Sequence, residues 1–439
     1  MTAEPLPRGG QPLPGVVAVC TVLYAAASFS WGTSQIDPYA LFDVGPFNAG
    51  DFLYFAGLLL LLAAEEGRRL LWRVIDEAKP LVFLGFAFAA LWIASIIAGL
   101  PLSGEGSRAA LPMVRFLFYV PVVFVTAALV VRYGVPLTGA PYFLGIVFGA
   151  LLNLWQSVSD GGRITIEGLP VLFNPNVTGN MLAVAVLVAA LLARRGAMLS
   201  SLLGAALASA LCLLTFSKGG WLTTAFALLA FAGSIWSAFR SGRVDAMARV
   251  TALSLLVCVC LVGASQVPTA VRIVSAKVVA TNFDSVSLDS SIAIRWYHLW
   301  SSLDMVAENP LFGVGPGRWP EENRANAYWL GDMFYENDNP HNGFAYIVST
   351  MGVPAFLTYL CLLCWMVWRV AASHPPGRGT VLVALGFAGA FAVSGLVMLQ
   401  IMTHTFAWFL SGLAVGEGTR GTAAGGRAGM ARTVSGSRA

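Results

Sequence analysis

Residues 308–352 read ENPLFGVGPGRWPEENRANAYWLGDMFYENDNPHNGFAYIVSTMG, and they form a long polar segment in a chain that is otherwise strongly apolar. Of the 439 residues, 57% are hydrophobic and only 11% are charged, and the mean hydropathy is +0.74. Soluble domains carry about 25% charged residues. The composition therefore predicts a polytopic membrane protein, and the polar segment is where we expect its chemistry.

The apolar runs on either side of this segment have the length of membrane-spanning helices. A helix needs about 20 apolar residues to cross the bilayer, and backbone polar groups in lipid must be satisfied within the protein. The runs are too long and too continuously apolar for the strands of a barrel. We therefore predict an all-α fold with about twelve transmembrane helices, at 14–32, 51–65, 80–100, 113–131, 142–158, 177–193, 198–216, 220–238, 249–266, 344–368, 379–397 and 401–416.

The basic residues give these spans an orientation. Lys and Arg are concentrated in cytoplasmic connections of membrane proteins, and an N-terminus in the cytoplasm places most of them inside, as in the connection at 66–79. Both termini are then cytoplasmic. Residues 1–266 are predicted to form a transmembrane bundle, 267–343 an outer loop, 344–417 further transmembrane helices and 418–439 a disordered cytoplasmic tail.

Nine basic residues remain on the outer side or within the spans, where the topology signal does not explain them. Four of these, Arg115, Arg163, Lys218 and Arg295, lie near the predicted outer face. Each could simply extend its charged end to the lipid headgroups. Together they indicate an anionic ligand at the outer leaflet, because guanidinium and ammonium groups both bind phosphate. The remaining five are Arg108, Arg272, Lys277, Arg318 and Arg324.

The outer loop contains a predicted helix from Ser291 to Val306. Apolar residues recur there at helical spacing, with Arg295, His298 and Asp304 at polar positions. Asn309-Pro310 is expected to end the helix, and the three glycines of Gly313–Gly317 to form a turn that permits close backbone packing. The turn is no phosphate-binding P-loop, because no Lys-Ser/Thr follows it. Pro340 is expected to set the start of the next helix.

These residues resemble the signature region of the bacterial O-antigen ligase and polymerase superfamily. Similar sequences are the loop Asn309–Gly317 after the helix of Arg295, and the pair His341-Asn342 before a span with Gly352 further on. Two more segments are similar, GRITIEGLPVLFNPNVTGNML before the sixth predicted span and FSKGGWL around Lys218. The family commonly has arginine where this chain has Lys218.

The resemblance implies a metal-free membrane glycosyltransferase of the inner membrane, with no cofactor. Its donor would be a glycan on undecaprenyl pyrophosphate, and the outer loop would be the periplasmic catalytic loop. We expect His341 to be the base and Arg295 to be catalytic in stabilising the leaving pyrophosphate. Lys218, Arg115, Arg163 and Asn342 are expected to bind substrate. Glu336 or Asp338 could orient His341. Alternatively, His341 is a helix cap and Arg295 pairs with Asp289 or Asp304.

Three functions remain open at the level of sequence. The first is a ligase that transfers the glycan to the lipid A-core; the second is a polysaccharide polymerase or a protein O-oligosaccharyltransferase. The third is an exporter of a lipid-linked polysaccharide, which would carry charges deep within several spans. Membrane lipids are expected partners, and nucleic acid is not. The six cysteines match no zinc or disulfide framework and are expected in the core, whereas His374 is expected to be exposed to solvent.

Overall fold

The protein is described by a computed structural model in which most regular secondary structure is helical. Described are residues 15–34, 43–44, 47–99, 106–159, 165–166, 169–170, 175–193, 198–215, 217–240, 291–326, 340, 342–372, 374, 377–397, 409–413, 415–417 and 419. The helices are α1 Gly15–Ser34, α2 Ala49–Ala63, α3 Glu65–Glu77, α4 Lys79–Gly99, α5 Gly106–Tyr133, α6 Val135–Ser159, α7 Pro175–Ala193, α8 Met198–Leu213, α9 Lys218–Arg240, α10 Ser291–Glu308, α11 Trp319–Asn326, α12 Gly343–Ala372 and α13 Arg378–Val397. Two short hairpins pair β1 Asp43–Val44 with β2 Phe47–Asn48, and β3 Thr165–Ile166 with β4 Leu169–Pro170.

Ten of the predicted spans coincide with these helices. Six described helices are long and apolar enough to cross a membrane, namely Gly15–Thr33, Lys79–Gly99, Val135–Gln156, Gly219–Arg240, Gly343–Ala372 and Arg378–Gly395. Four shorter apolar helices are Ala49–Ala63, Val120–Tyr133, Val177–Ala193 and Met198–Leu213. The predicted span at 249–266 lies outside the described residues, and 401–416 is described only in part. The all-helical prediction is confirmed; the number twelve stays a prediction.

Helix α1 packs closely against α2, which is antiparallel to it, and against α6. Trp31 near the end of α1 donates its Nε1–H to Asp51 at the start of α2, at 2.8 Å. The other half of α2 passes α1 at Gly57, where an added Cβ would lie 3.6 Å from the carbonyl oxygen of Cys20. In α6, Gly145 lies so close to Phe29 that a Cβ would come within 2.3 Å of its carbonyl oxygen. Small residues allow such approaches between membrane helices.

Helix α7 is the most enclosed element of the bundle. Its described side chains from Thr178 to Ala193 are buried on every side, as expected for a helix that is apolar all round. Helices α9 and α13 pack on each other through glycines, since Cβ atoms on Gly386 and Gly389 would overlap Ala230 and Phe226. The core is therefore built from helix contacts rather than from loops.

One end of the bundle is bordered by α3, and we call it the α3 end. The carboxylate of Glu66 pairs with Arg132 at the end of α5 (3.2 Å), and that of Glu77 with Arg369 near the end of α12 (3.7 Å). Residues 66–79 were predicted to be a cytoplasmic connection, whereas Glu65–Glu77 form a 13-residue helix. The missed signal is amphipathic, because Leu70, Leu71 and Val74 are buried while Arg69 and Trp72 are exposed.

Two expectations about single side chains were wrong. His374 is buried, and its ring contacts the carbonyl oxygen of Val370 (2.9 Å) and the hydroxyl of Ser234 (3.4 Å). It follows α12 and is covered by α9, which sequence spacing does not reveal. Cys361 and Cys364 are exposed on the outer surface of α12, although Cys20 and Cys212 are buried as expected.

Candidate functional site

Helix α12 is broken at Gly352, nine residues after its start, and the loop that follows α10 seals the break. Gly352 has φ 83° and ψ 172°, and Pro354 follows two residues later. An unbroken helix would use the N–H groups of residues 353 and 354 to satisfy the carbonyls of Ser349 and Thr350. Pro354 has no N–H to donate. The two carbonyls therefore need other donors.

The loop Asn309–Arg318 supplies these donors from its backbone. Val314 donates its N–H to the carbonyl of Ser349 at 2.9 Å, and Gly315 donates to that of Thr350 at 3.0 Å. In return, Val353 donates its N–H to the carbonyl of Pro310 at 2.8 Å. Three backbone hydrogen bonds thus join the loop to the broken helix. We call this contact the splice.

The glycines of the motif are needed for the splice to close. Gly313 has φ 63°, and a Cβ there would lie 2.4 Å from the carbonyl carbon of Thr350. A Cβ on Gly352 would lie 2.2 Å from the carbonyl oxygen of Leu311. A side chain at either position would meet backbone and would also adopt a strained conformation. Close backbone packing was predicted for the turn glycines, and its partner is the break in α12.

Helix α4 completes the splice with two residues that no sequence motif indicated. Ser95 donates its hydroxyl to the carbonyl of Thr350 at 2.7 Å. Gly99, at the end of α4, faces Gly315 so closely that a Cβ would lie 3.2 Å from its Cα. The Thr350 carbonyl therefore accepts two hydrogen bonds, from two elements far apart in the sequence. We call this end of the bundle the loop end.

Trp319 anchors the loop on the side of α10. Its side chain is fully buried, and its Nε1–H donates to the hydroxyl of Ser302 at 3.1 Å. The ring of His298 contacts it edge-on, with 5.1 Å between centroids. Met305 and Val314 complete this small core. His298 was expected at a polar position of α10, whereas it is buried and packs in this small core.

Asn342 is the N-cap of α12. Its side-chain Oδ1 accepts hydrogen bonds from the N–H groups of Phe344 and Ala345, both at 3.1 Å. Such a cap satisfies donors that the first helical turn leaves free. Pro340 lies two residues before the cap and not at the first helical position, so the expectation that it sets the helix start was wrong. A contact of Asn342 with substrate stays a prediction.

A second cluster lies where α7 and α9 begin. Ser217 caps α9 by accepting a hydrogen bond from the N–H of Gly220 at 3.0 Å, and Lys218 is the first residue of that helix. Gly220 approaches α7 so closely that a Cβ would lie 2.8 Å from the Cα of Gly179. The two segments that resembled the family at FNPNVTGN and FSKGG are therefore in direct contact.

Buried hydrogen bonds extend this cluster to α13. The fully buried Asn180 accepts at its Oδ1 the hydroxyls of Thr223 in α9 (2.9 Å) and Ser394 in α13 (3.0 Å). The neighbouring Gly395 lies against the ring of Phe344, just after the cap of α12; a Cβ there would lie 2.4 Å from Cζ. The starts of α7, α9 and α12 therefore meet around the end of α13.

The predicted site residues lie in different parts of this arrangement. Lys218 begins α9 in the second cluster, and Arg295 lies on α10 one turn before His298. Arg115 lies on α5, 17 residues or about 26 Å before Arg132 of the α3 end. His341 and Arg163 lie outside the described residues, as do Glu336 and Asp338. Arg318, one of the nine predicted outer cations, is engaged in ion pairs with Glu321 and Glu322.

The arrangement favours an anionic ligand at the loop end. Three helices, α7, α9 and α12, start there, and helix N-termini carry partial positive charge. Lys218 adds a full charge at one of these starts. Among the described residues, no group of three or more His, Cys, Asp or Glu side chains is placed to hold a metal ion. A metal-free reaction stays a prediction.

The helices define a multi-pass, all-α membrane protein, and comparison with known families defines it further. Residues 203–360 match the family model described as O-antigen ligase, which supports a place for this chain in the O-antigen ligase superfamily. The matched range contains Lys218, Arg295, the splice and His341-Asn342, and it leaves out Arg115 and Arg163. A search of curated proteins finds no significant match to this chain. The match confirms the resemblance seen in the sequence and indicates a membrane enzyme of the glycosyltransferase type.

Proposed function

We propose that this protein is an O-antigen ligase that transfers a glycan from undecaprenyl pyrophosphate to a sugar hydroxyl of the lipid A-core. The reaction would take place at the loop end, on the periplasmic side of the inner membrane. The observation that carries the proposal is the splice, which joins the loop after α10, the helix of Arg295, to α12 at Gly352; the capped start of α12 follows His341 directly in the sequence. This start contacts the end of α13 beside the cluster of Asn180 and Lys218.

In the proposed mechanism, His341 takes the proton of the acceptor hydroxyl as the oxygen attacks the anomeric carbon. A new glycosidic bond forms there, and the bond from the anomeric carbon to the pyrophosphate oxygen breaks. The leaving pyrophosphate gains negative charge, which Arg295 and Lys218 would stabilise, with Arg115 and Arg163 contributing at longer range. The glycan and its carrier would be held at the membrane surface, so the charges need not lie deep in the bundle.

The position of the charges favours an enzyme over an exporter. Of the described charged residues, the buried ones are Asp51, Arg369 and Glu417. Asp51 begins α2 and bonds to Trp31, and Arg369 is near the end of α12 and pairs with Glu77. None of these three forms a charged path through the middle of the bundle. A polymerase or a protein O-oligosaccharyltransferase shares the donor chemistry and differs in the acceptor, so either is the second candidate.

The lipopolysaccharide profile of a strain that lacks the gene tests this proposal. If full-length glycan disappears from lipid A-core while it accumulates on its lipid carrier, the protein is a ligase. Chains shortened to a single repeat would identify a polymerase instead. Glycan that is confined to the cytoplasmic leaflet would identify an exporter, and an unchanged profile would overturn all three. Complementation with wild-type protein and with His341→Ala links the phenotype to the proposed base.

A further inference from the structure

The outer surface of α10 and the loop carries exposed apolar side chains. Trp300 and Leu303 are 49% and 45% exposed, and Leu311 and Phe312 are 62% and 42% exposed. The helical spacing of the apolar residues in α10 predicted a single apolar face, but these residues divide between two faces. Met305 is buried against Trp319, whereas Trp300 and Leu303 point away from the protein.

Three of these side chains, Trp300, Leu303 and Leu311, form a single stripe. The helical hydrogen-bond pattern continues past α10, because Asn309 donates to the carbonyl of Met305 and Gly313 to that of Asn309, each at 2.9 Å. Positions 300, 303, 307 and 311 have the spacing of one helix face. We call Trp300, Leu303 and Leu311 the outer stripe; Phe312 follows Leu311 in the loop and is not part of this face. Asp304 and Glu308, both exposed, lie along one edge of it.

The outer stripe continues directly into the exposed face of a membrane-spanning helix. In the splice, Pro310 accepts the N–H of Val353, and the carbonyl of Leu311 lies against Gly352. Val353 and, one turn further, Leu357 are both exposed. Since α12 is one of the candidate membrane spans, its exposed apolar side chains face lipid, and Leu311 lies beside the first of them.

The lengths of two helices indicate how deep the outer stripe lies relative to the bilayer. Helix α4 runs 20 residues from Lys79 at the α3 end to Gly99 at the splice, or about 30 Å. Along α12, Arg369, which pairs with α3, lies 17 residues or about 25 Å from Gly352. The hydrocarbon core of a bilayer is about 30 Å thick. Both distances place the splice at the opposite boundary of the hydrocarbon from α3.

We propose that α10 and residues 309–312 form an interfacial element whose outer stripe inserts into the acyl chains of the leaflet at the loop end. The ligand of this surface is the bilayer itself. The edge of Asp304 and Glu308 would face the water, as the polar side of an interfacial helix does. The inserted stripe would hold the splice, and with it the start of α12, at a fixed depth. This inference does not depend on the proposed enzymatic activity.

Spin labels on the full-length protein test the proposal. Leu303→Cys and Leu311→Cys, in a variant without the six native cysteines, would each receive a nitroxide. The proteins would be reconstituted into vesicles of phosphatidylethanolamine and phosphatidylglycerol. Collision rates are then measured with oxygen, which concentrates in lipid, and with a water-soluble nickel chelate. Asp304→Cys is the matched control, since it neighbours Leu303 on the polar edge of the same helix.

The proposal expects labels at 303 and 311 to collide several-fold more with oxygen than with nickel, and the label at 304 to show the reverse. Labels at 303 and 311 that meet nickel as readily as the label at 304 would show a stripe in water. Labels shielded from both agents would show a protein partner or a second copy on the stripe. Either result overturns the proposal. Trp300→Cys replaces any variant that fails to fold, judged by its elution from gel filtration.

Discussion

Val353 donates its backbone N–H to the carbonyl oxygen of Pro310, at 2.8 Å, and not to Ser349 one helical turn before it. The bond replaces a contact within α12 by a contact to a loop 43 residues earlier in the chain. Two neighbouring bonds, from the N–H of Val314 to Ser349 and from that of Gly315 to Thr350, also replace contacts within α12 by contacts to the loop. A helix break that would otherwise leave buried carbonyls without donors thus becomes the attachment point of the motif loop.

The first prediction concerns Gly352. Gly352→Ala should lower the thermal unfolding midpoint of the purified protein, because a Cβ would meet the Leu311 carbonyl oxygen at 2.2 Å in a conformation with positive φ. Backbone strain alone costs about 1–3 kcal/mol. Gly85→Ala is the matched control, since a Cβ in that part of α4 meets nothing within 4 Å. It should be neutral or stabilising by up to about 1 kcal/mol. Equal midpoints for the two variants would contradict the splice.

The second prediction concerns the buried cluster at Asn180. Asn180→Ala should destabilise the protein by roughly 1–3 kcal/mol, because the hydroxyls of Thr223 and Ser394 lose their common acceptor in a buried site. Ser394→Ala alone should cost about 1 kcal/mol. The double variant should be less destabilised than the sum of the two, since both changes remove the same bond. Denaturant unfolding of the four proteins measures this, and strict additivity would argue against the shared contact.

The third prediction concerns the proposed cations. Arg295→Ala and Lys218→Ala should each lower kcat/KM for the donor by about 10- to 150-fold, since a hydrogen bond to a charged group contributes about 1.5–3 kcal/mol. Lys218→Arg should retain most activity. Arg69→Ala is the control, because this exposed residue lies at the α3 end and its ion pair with Glu65 is one turn away on the same helix. Wild-type donor use in both alanine variants would remove the cations from the mechanism.

The fourth prediction concerns His341. His341→Ala should abolish transfer, with a loss of about 10²–10⁴ in rate, while folding and donor binding stay nearly unchanged. A base must be neutral, so wild-type activity should fall as the pH drops below the histidine pKa of about 6.5, and the variant should lose this acidic limb. His298→Ala should be much milder in rate and should mainly lower stability, since its ring packs on Trp319.

The results for these two histidines can also exclude His341 as the base. A folded His341→Ala protein with near wild-type transfer would leave position 341 with a structural role only. If His298→Ala were inactive instead, with unchanged stability, the base would be on α10. Rates are measured with purified protein over pH 5–9, and stability by thermal unfolding of the same samples.

The fifth prediction concerns metals. Transfer by purified protein should continue in excess EDTA, because the proposed mechanism stabilises the leaving pyrophosphate with arginine and lysine. The chelated enzyme is compared with the same enzyme after addition of magnesium or manganese. Activity that disappears with EDTA and returns with either ion would replace the cationic mechanism by a metal-dependent one.

Much of the fold could be predicted because it depends on local patterns. The ten described apolar helices follow from hydropathy alone, and α10 begins at Ser291 as its periodicity indicated. Its end at Asn309-Pro310 and the glycine turn were also predicted correctly. Helix α3 was not predicted because its many charged residues were interpreted as a topology signal, although its apolar residues recur at helical spacing. His374 was misplaced because burial in a loop depends on which helix covers it, here α9 at Ser234.

The sequence by itself determined that the chain is a helical membrane protein and that one polar segment carries a family motif, because hydropathy and motif spacing are properties of neighbouring residues. Only the tertiary structure decided what that motif does: its amides satisfy carbonyls in α12, with Ser95 of α4 as an additional donor. It also decided which side chains meet at the loop end, where Asn180, Thr223 and Ser394 come from three helices. These partners are up to 255 residues apart, and a hydrogen bond requires proximity in space, which no local pattern encodes.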